Sequence, residues 1–154
     1  MPIVFKVNGE YRVSLMPPMT PLVDVLREEF SLTGAKTVCR EGFCGSCTVI
    51  VNGRPAVSCL MPVGQVQDKE VLTVESLEVD GVLSALQQSM EEHDAVQCGM
   101  CFPGMMMSLT AFLERAPNPS RADVKAALSG NICRCTGYER IVDAVLSAAL
   151  PRQA

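Results

Sequence analysis

The stretch Cys39-Arg40-Glu41-Gly42-Phe43-Cys44-Gly45-Ser46-Cys47 decides how this chain is read. Its three cysteines are separated by four and then two residues, and a fourth, Cys59, follows after eleven more. Structural zinc sites pair two short Cys-x2–4-Cys knuckles, which this ladder does not do. The spacing instead suits four thiolates around a 2Fe-2S cluster, three from one loop and the last from a later segment. A loop wrapped on an inorganic core must bring backbone N–H groups close to sulfur. Gly42 and Gly45 remove the Cβ atoms that would obstruct such an approach. Amides aimed at sulfur would also tune the reduction potential.

Working outward, residues 3–7 and 11–15 are short β-rich runs joined by Asn8-Gly9, a strong hairpin signal. Thr20-Pro21 reads as N-cap and first position of a helix to about Glu29, with Leu22, Val25, Leu26 and Phe30 as its buried stripe. Beyond the cysteine loop comes a second hairpin, 48–51 and 55–58 around Asn52-Gly53, and then a strand at 71–74. Hairpin, helix and further strands predict a small α+β domain with its helix on a mixed sheet.

After Ser76 the period changes. Val82, Leu83, Leu86 and Met90 have helical spacing, as do Met105, Met106, Leu109, Phe112 and Leu113. The run Ala116-Pro117-Asn118-Pro119 interrupts the pattern, and Ser120 with Asp123 resembles a capping box opening a helix that Gly130 ends. Ile141, Val142, Val145, Leu146 and Ala149 mark a last helix. Four short helices with brief connections predict a compact bundle. Four more cysteines sit at its helix junctions: Cys98-x2-Cys101, then Cys133-x-Cys135. Taken alone this set leaves zinc and 2Fe-2S both open. Helix N-termini beside it would offer N–H groups to an anionic cluster.

Composition narrows the function. The chain has 154 residues, 48% hydrophobic, with a net charge of −4 and no Lys/Arg run, so a nucleic-acid surface is not expected. No window approaches the roughly 18 unbroken apolar residues of a membrane span. The N-terminus shows no charged leader or apolar h-region, so a cytoplasmic location is expected. In a reducing compartment eight cysteines are metal ligands or redox groups rather than disulfides. No Ser/His/Asp set and no phosphate-binding glycine loop is present, so catalysis on this chain is not expected. His93, the only histidine, reads as a solvated residue, since a Rieske-type site needs two. Met105–Met107 read as flexible core filler.

Three motifs, in order, carry a resemblance: Cys39-Arg-Glu-Gly-Phe-Cys44-Gly-Ser-Cys47-Thr-Val49, Gln97-Cys98-Gly-Met-Cys101-Phe-Pro-Gly104 and Gly130-Asn-Ile-Cys133-Arg-Cys135-Thr-Gly-Tyr138. With them the chain resembles, from about residue 3 to 148, the small iron-sulfur subunit of the molybdenum hydroxylases, the xanthine dehydrogenase and aldehyde oxidoreductase family. The resemblance implies a plant-type, ferredoxin-like β-grasp domain over 1–76 and an all-α four-helix-bundle domain over 77–154, each with one 2Fe-2S cluster. It assigns Cys39, Cys44, Cys47 and Cys59 to a distal cluster and Cys98, Cys101, Cys133 and Cys135 to a proximal one. Gln97 is then a hydrogen-bond partner of molybdopterin, and Cys135 the ligand whose sulfur approaches it. Further implications are a large subunit with molybdopterin in its cytosine dinucleotide form, a medium FAD subunit or cytochrome-type acceptor, and a hetero-oligomer. The complex would hydroxylate a heteroaromatic ring or oxidise an aldehyde while this chain relays electrons. A free-standing two-cluster ferredoxin is the alternative. Val38, where many members carry glycine, raises the question of its φ, since a β-branched residue tolerates positive φ badly.

Overall fold

A computed structural model describes residues 1–149. Strands β1 (Ile3–Val7), β2 (Glu10–Ser14), β3 (Thr48–Val51), β4 (Arg54–Val57) and β5 (Glu70–Leu72) form one sheet in the order β2-β1-β5-β3-β4. Only the β1–β5 pairing is parallel, which makes the sheet mixed as expected. Both hairpins turn where the sequence places them. Asn8 and Asn52 take φ of 50° and 46° ahead of glycines, the backbone that two-residue turns need. Each asparagine also ties its turn to the central strand: Thr73 N–H donates to Asn8 Oδ1 at 2.8 Å, and Glu70 N–H to Asn52 Oδ1 at 2.9 Å.

The first helix, α1 (Leu22–Asp24), runs directly into a wider π-helical turn at Val25–Glu29. It starts after Pro21 rather than with Thr20 as cap, because Pro21 is held in a bridge to Pro62. Leu22, Val25 and Leu26 are buried as expected, with Val23 beside them, while Phe30 is half-buried. They pack on Ile3, Phe5, Val7, Val49 and Val71 to make the first core.

The second core lies among α2 (Ala85–Glu92), α3 (Phe102–Arg115), α4 (Arg121–Ala127) and α5 (Glu139–Ala149). Ser120 and Asp123 form the expected capping box, and the 3-10 turn Leu128–Gly130 ends α4. Val82 and Leu83 differ from expectation. They precede α2, whose cap is Ser84 in a capping box with Gln87, and Val82 is instead bridged to Val79 across Asp80-Gly81. Ser89 Oγ donates to the Ala144 carbonyl at 2.7 Å, joining α2 to α5 inside the core.

The two cores meet across the sheet. Met107 and Ala111 of α3 pack on Ile50 of β3, with Leu72, Val74 and Leu77 around them. Helix α1 and α3 therefore cover opposite faces of the sheet, and α3 reaches the β3–β4 side, leaving Tyr11 and Val13 of β2 exposed. Among the described residues no helix is long and apolar enough to cross a membrane. The last residues of the bundle as read from sequence, 150–154, lie outside the described residues.

Candidate functional site

Cys39, Cys44 and Cys47 lie on the irregular loop between α1 and β3, and Cys59 follows β4. The antiparallel β3–β4 register sets Thr48 opposite Val57 and so Cys47 opposite Ser58, which brings Cys59, one residue further, beside Cys47. Ser58 locks that pairing by donating from Oγ to the Cys47 carbonyl at 2.6 Å, and Cys59 N–H points at Cys47 Sγ at 3.4 Å. Cys39 and Cys44 are likewise within hydrogen-bond reach of one another.

The second set has the same construction. Cys101 is the N-cap residue of α3, Cys98 lies on the turn before it, and Cys133 and Cys135 lie on the segment ahead of α5. Cys101 meets Cys133, and Cys135 meets Cys98. Tyr138 shapes the Cys133 segment: its hydroxyl accepts from Cys133 N–H at 2.8 Å and donates to the Asn131 carbonyl at 3.2 Å. Tyr138 also holds a φ of 70°, a strained conformation for a bulky residue and of the kind that collects at functional sites. Nothing in its sequence context separates this role from ordinary packing.

Backbone amides and burial set the thiols apart. The Glu41 N–H, with those of Cys44 and Phe43, brings Cys39 down to about 6. Burial first, then the Cys47 thiol, pushes Cys59 up to about 11. Burial and then Cys133 push Cys101 up to about 12. For Cys133 burial acts upward, but the Thr136 hydroxyl at 3.1 Å and the N–H groups of Cys135 and Thr136 outweigh it, so its net shift is downward. Cys135 is raised, chiefly by its hydrogen bond with Cys98.

The donor sets fit 2Fe-2S chemistry. Cys98, Cys101, Cys133 and Cys135 line one small pocket. Within each set the thiols interact chiefly two by two, Cys39 with Cys44, Cys47 with Cys59, Cys98 with Cys135 and Cys101 with Cys133, with charge coupling between the pairs. A cluster whose two irons each take two protein ligands is served by that arrangement.

The sets differ in exposure. Cys44, Cys47, Cys59 and Cys133 are buried, whereas Cys98 and Cys135 face solvent next to exposed Gln97 and Arg134. A cleft of about 330 Å³ runs between the two sets, with Val38, Cys39 and Phe43 on one side and Met100, Cys98 and Arg134 on the other. Val38 is not among the residues of positive φ. Met105, Met106 and Met107 are fully buried, as filler should be, but Met100 is half exposed. His93 is half-buried rather than solvated, and its Nδ1 donates to the Ser89 carbonyl at 2.8 Å at the end of α2.

The loops that carry the sets also touch one another. Ile132 N–H donates to the Cys44 carbonyl at 2.9 Å, and buried Asn131 donates from Nδ2 to the Gly45 carbonyl at 3.2 Å. A Cβ on Gly45 would overlap the Gly130 carbonyl oxygen and lie 2.6 Å from Asn131 Nδ2. One on Gly42 would meet chiefly the Leu60 side chain, which can turn aside. Glycine at 45 thus serves the contact between loops, a role the local sequence did not show.

Comparison with known proteins agrees with this geometry. Residues 5–94 match the family described as 2Fe-2S iron-sulfur cluster binding domain, and residues 73–146 the 2Fe-2S binding domain. The chain is 46% identical over 143 residues to the nicotinate dehydrogenase small FeS subunit of Eubacterium barkeri, covering 93% of this chain and 91% of the relative. It is equally, 46%, identical to the nicotine 6-hydroxylase small subunit of Paenarthrobacter nicotinovorans, over 93% of this chain and 86% of that one. The fold superposes on quinoline 2-oxidoreductase from Pseudomonas putida 86 with a TM-score of 0.94 and 44% identity, covering 97% of this chain and 93% of that one. An α+β half and a helical half, each with four paired thiols, joined to relatives of this length and identity, leave one assignment: the chain belongs to the small 2Fe-2S subunits of the molybdenum hydroxylases, components of oxidoreductase complexes.

Proposed function

We propose that this chain holds two 2Fe-2S clusters and relays electrons outward from a molybdopterin centre in a large partner subunit. The observation that carries the reading is the gathering of the cysteines into two sets: Cys98, Cys101, Cys133 and Cys135 line one pocket, and Cys59 N–H points at Cys47 Sγ at 3.4 Å in the set that also holds Cys39 and Cys44. Cys98, Cys101, Cys133 and Cys135 are the ligands of the proximal cluster, and Cys39, Cys44, Cys47 and Cys59 those of the distal one. When bound, the clusters supply one-electron redox chemistry; the protein contributes ligation, burial and hydrogen bonds. The exposed edge with Cys98, Cys135 and Gln97 receives the large subunit, where Gln97 hydrogen-bonds the pterin (a cytosine dinucleotide form) and Cys135 lies against it. The distal loop, with Val38 and Phe43 exposed, faces an FAD subunit or another acceptor. The boundary between the two cluster-binding domains falls at residues 76 and 77.

Relatives named for nicotinate, nicotine and quinoline support a nitrogen heteroaromatic as the substrate of the complex, with an aldehyde as the other candidate. Eight free thiols suit a reducing cytoplasm. The test is metal analysis and EPR of the natively purified protein. Two clusters require about four irons and four sulfides per chain and two distinct reduced-state signals. Large and medium subunits should co-elute. Elution of the loaded chain alone would instead mark a free two-cluster carrier, and two irons per chain would end the two-cluster reading.

A further inference from the structure

We propose that Gly45 and Gly104 are positioning residues that set the separation of the two clusters, an inference that rests on the two-cluster reading above. Gly45 stands between Cys44 and Cys47, while Gly104 stands three residues after Cys101 on the first turn of α3. A Cβ on Gly104 would overlap the Gly45 carbonyl oxygen and lie 2.9 Å from both the Gly45 carbonyl carbon and Ser46 Cα. Every one of those neighbours is backbone, so no rotamer change relieves the overlap; the helix or the loop must move. Helix propensity does not account for glycine at 104, because alanine is the better helix former. Close approach of α3 to the Cys44–Cys47 loop does.

The same contact is held from the other side. The Gly45 carbonyl accepts from Thr48 N–H at 3.1 Å, Thr48 Oγ1 at 2.7 Å and Asn131 Nδ2 at 3.2 Å. Asn131 is only two residues before Cys133. One carbonyl group is thus clamped among segments that carry Cys44, Cys47, Cys101 and Cys133, two ligands of each set. Interiors transmit strain because they are close-packed, so a methyl group inserted here moves one set relative to the other while each set stays intact. Passing an electron between the clusters oxidises one and reduces the other without making or breaking bonds. Its rate depends steeply on their distance.

The experiment uses the full chain loaded with iron and sulfide, compared with Gly104→Ala, Asn131→Ala and Gly130→Ala. Gly130 has open space where a Cβ would stand, so its variant controls for an added methyl in the same region. In the doubly reduced state the EPR spectrum of the parent should show magnetic coupling between the clusters, which falls with the inverse cube of distance. Gly104→Ala should retain full iron and the g-values of each cluster, yet lose part of that coupling and transfer electrons between clusters more slowly. Asn131→Ala should show a smaller loss, and carries the test if Gly104→Ala does not assemble. Gly130→Ala should match the parent. Unchanged coupling in a fully loaded Gly104→Ala or Asn131→Ala chain would overturn the spacer role while leaving the two-cluster reading intact. A parent with full iron but no coupling would overturn it too. Two irons in the parent would instead remove the two-cluster reading.

Discussion

Single residues around the second cysteine set carry more than their size suggests. Tyr138 spends one hydroxyl on two backbone partners, and its left-handed φ means the surrounding structure holds it in place. Tyr138→Phe leaves Cys133 N–H without its acceptor, and an orphaned buried donor costs about 1–3 kcal/mol. We expect the loaded variant to unfold at lower denaturant concentration and to show an altered proximal EPR signal; a wild-type signal and midpoint would contradict the role. Gln97 differs because the partner we propose for it belongs to another subunit. Gln97→Ala should weaken pterin retention by about 0.5–1.5 kcal/mol, the net worth of one hydrogen bond, with both clusters assembled. Rapid-mixing reduction by substrate, followed at both clusters, would reveal slower entry of electrons. The ferredoxin-type spacing of the first cysteine set was legible because coordination constrains it, while the second set left zinc and 2Fe-2S open until the family motifs were read. Tyr138 was not legible, since a phenol clamping a loop has the same local sequence as a phenol in a core.

Elements were readable where local chemistry governs them. The Asn-Gly turns, the Ser120–Asp123 box and the stripes of α3 and α5 lie where the pattern places them. The start of α2 was missed because Val82 and Leu83 continue the apolar period, while Asp80-Gly81 and Ser84-x-x-Gln87 hold the actual turn and cap. The π-helical turn after α1 was hidden as well; two apolar pairs on either side of Asp24, Leu22-Val23 and Val25-Leu26, are all buried in the first core. The box on α4 gives a pH test. The Ser120 hydroxyl and then its backbone N–H hold the Asp123 carboxyl below its ordinary value. A depressed acid stabilises the fold above its unfolded pKa, and the contribution disappears as pH falls through the lower folded value. Ser120→Ala should cost about 0.5–2 kcal/mol at neutral pH. The parent's advantage should shrink towards strong acid, as seen by circular dichroism of α4-dependent helicity. A gap independent of pH would mean that Asp123 takes no part.

Across the whole molecule, the two cores make separable loading plausible to test. Metal ligation contributes folding free energy where the site is unformed in the unfolded chain. Cys47→Ser should therefore lose the distal cluster and loosen residues 36–60 in hydrogen exchange, with the proximal signal preserved. Joint loss of both clusters would show that the seam through Gly45 and Asn131 makes one cooperative unit. That seam was invisible in sequence because it joins backbone atoms far apart along the chain. The sheet carries a different consequence at its border. β2 pairs on one side alone, with Tyr11 and Val13 exposed along it and Leu15 exposed just past its end. An unpaired edge that shows apolar side chains is a template for strands of other copies. Produced without its partner subunits at high concentration, the chain should accumulate as β-rich oligomers, measurable by light scattering and thioflavin fluorescence. Val13→Lys places a charge on that border and should keep the orphaned subunit in solution; equal turbidity in both proteins would locate the stickiness elsewhere.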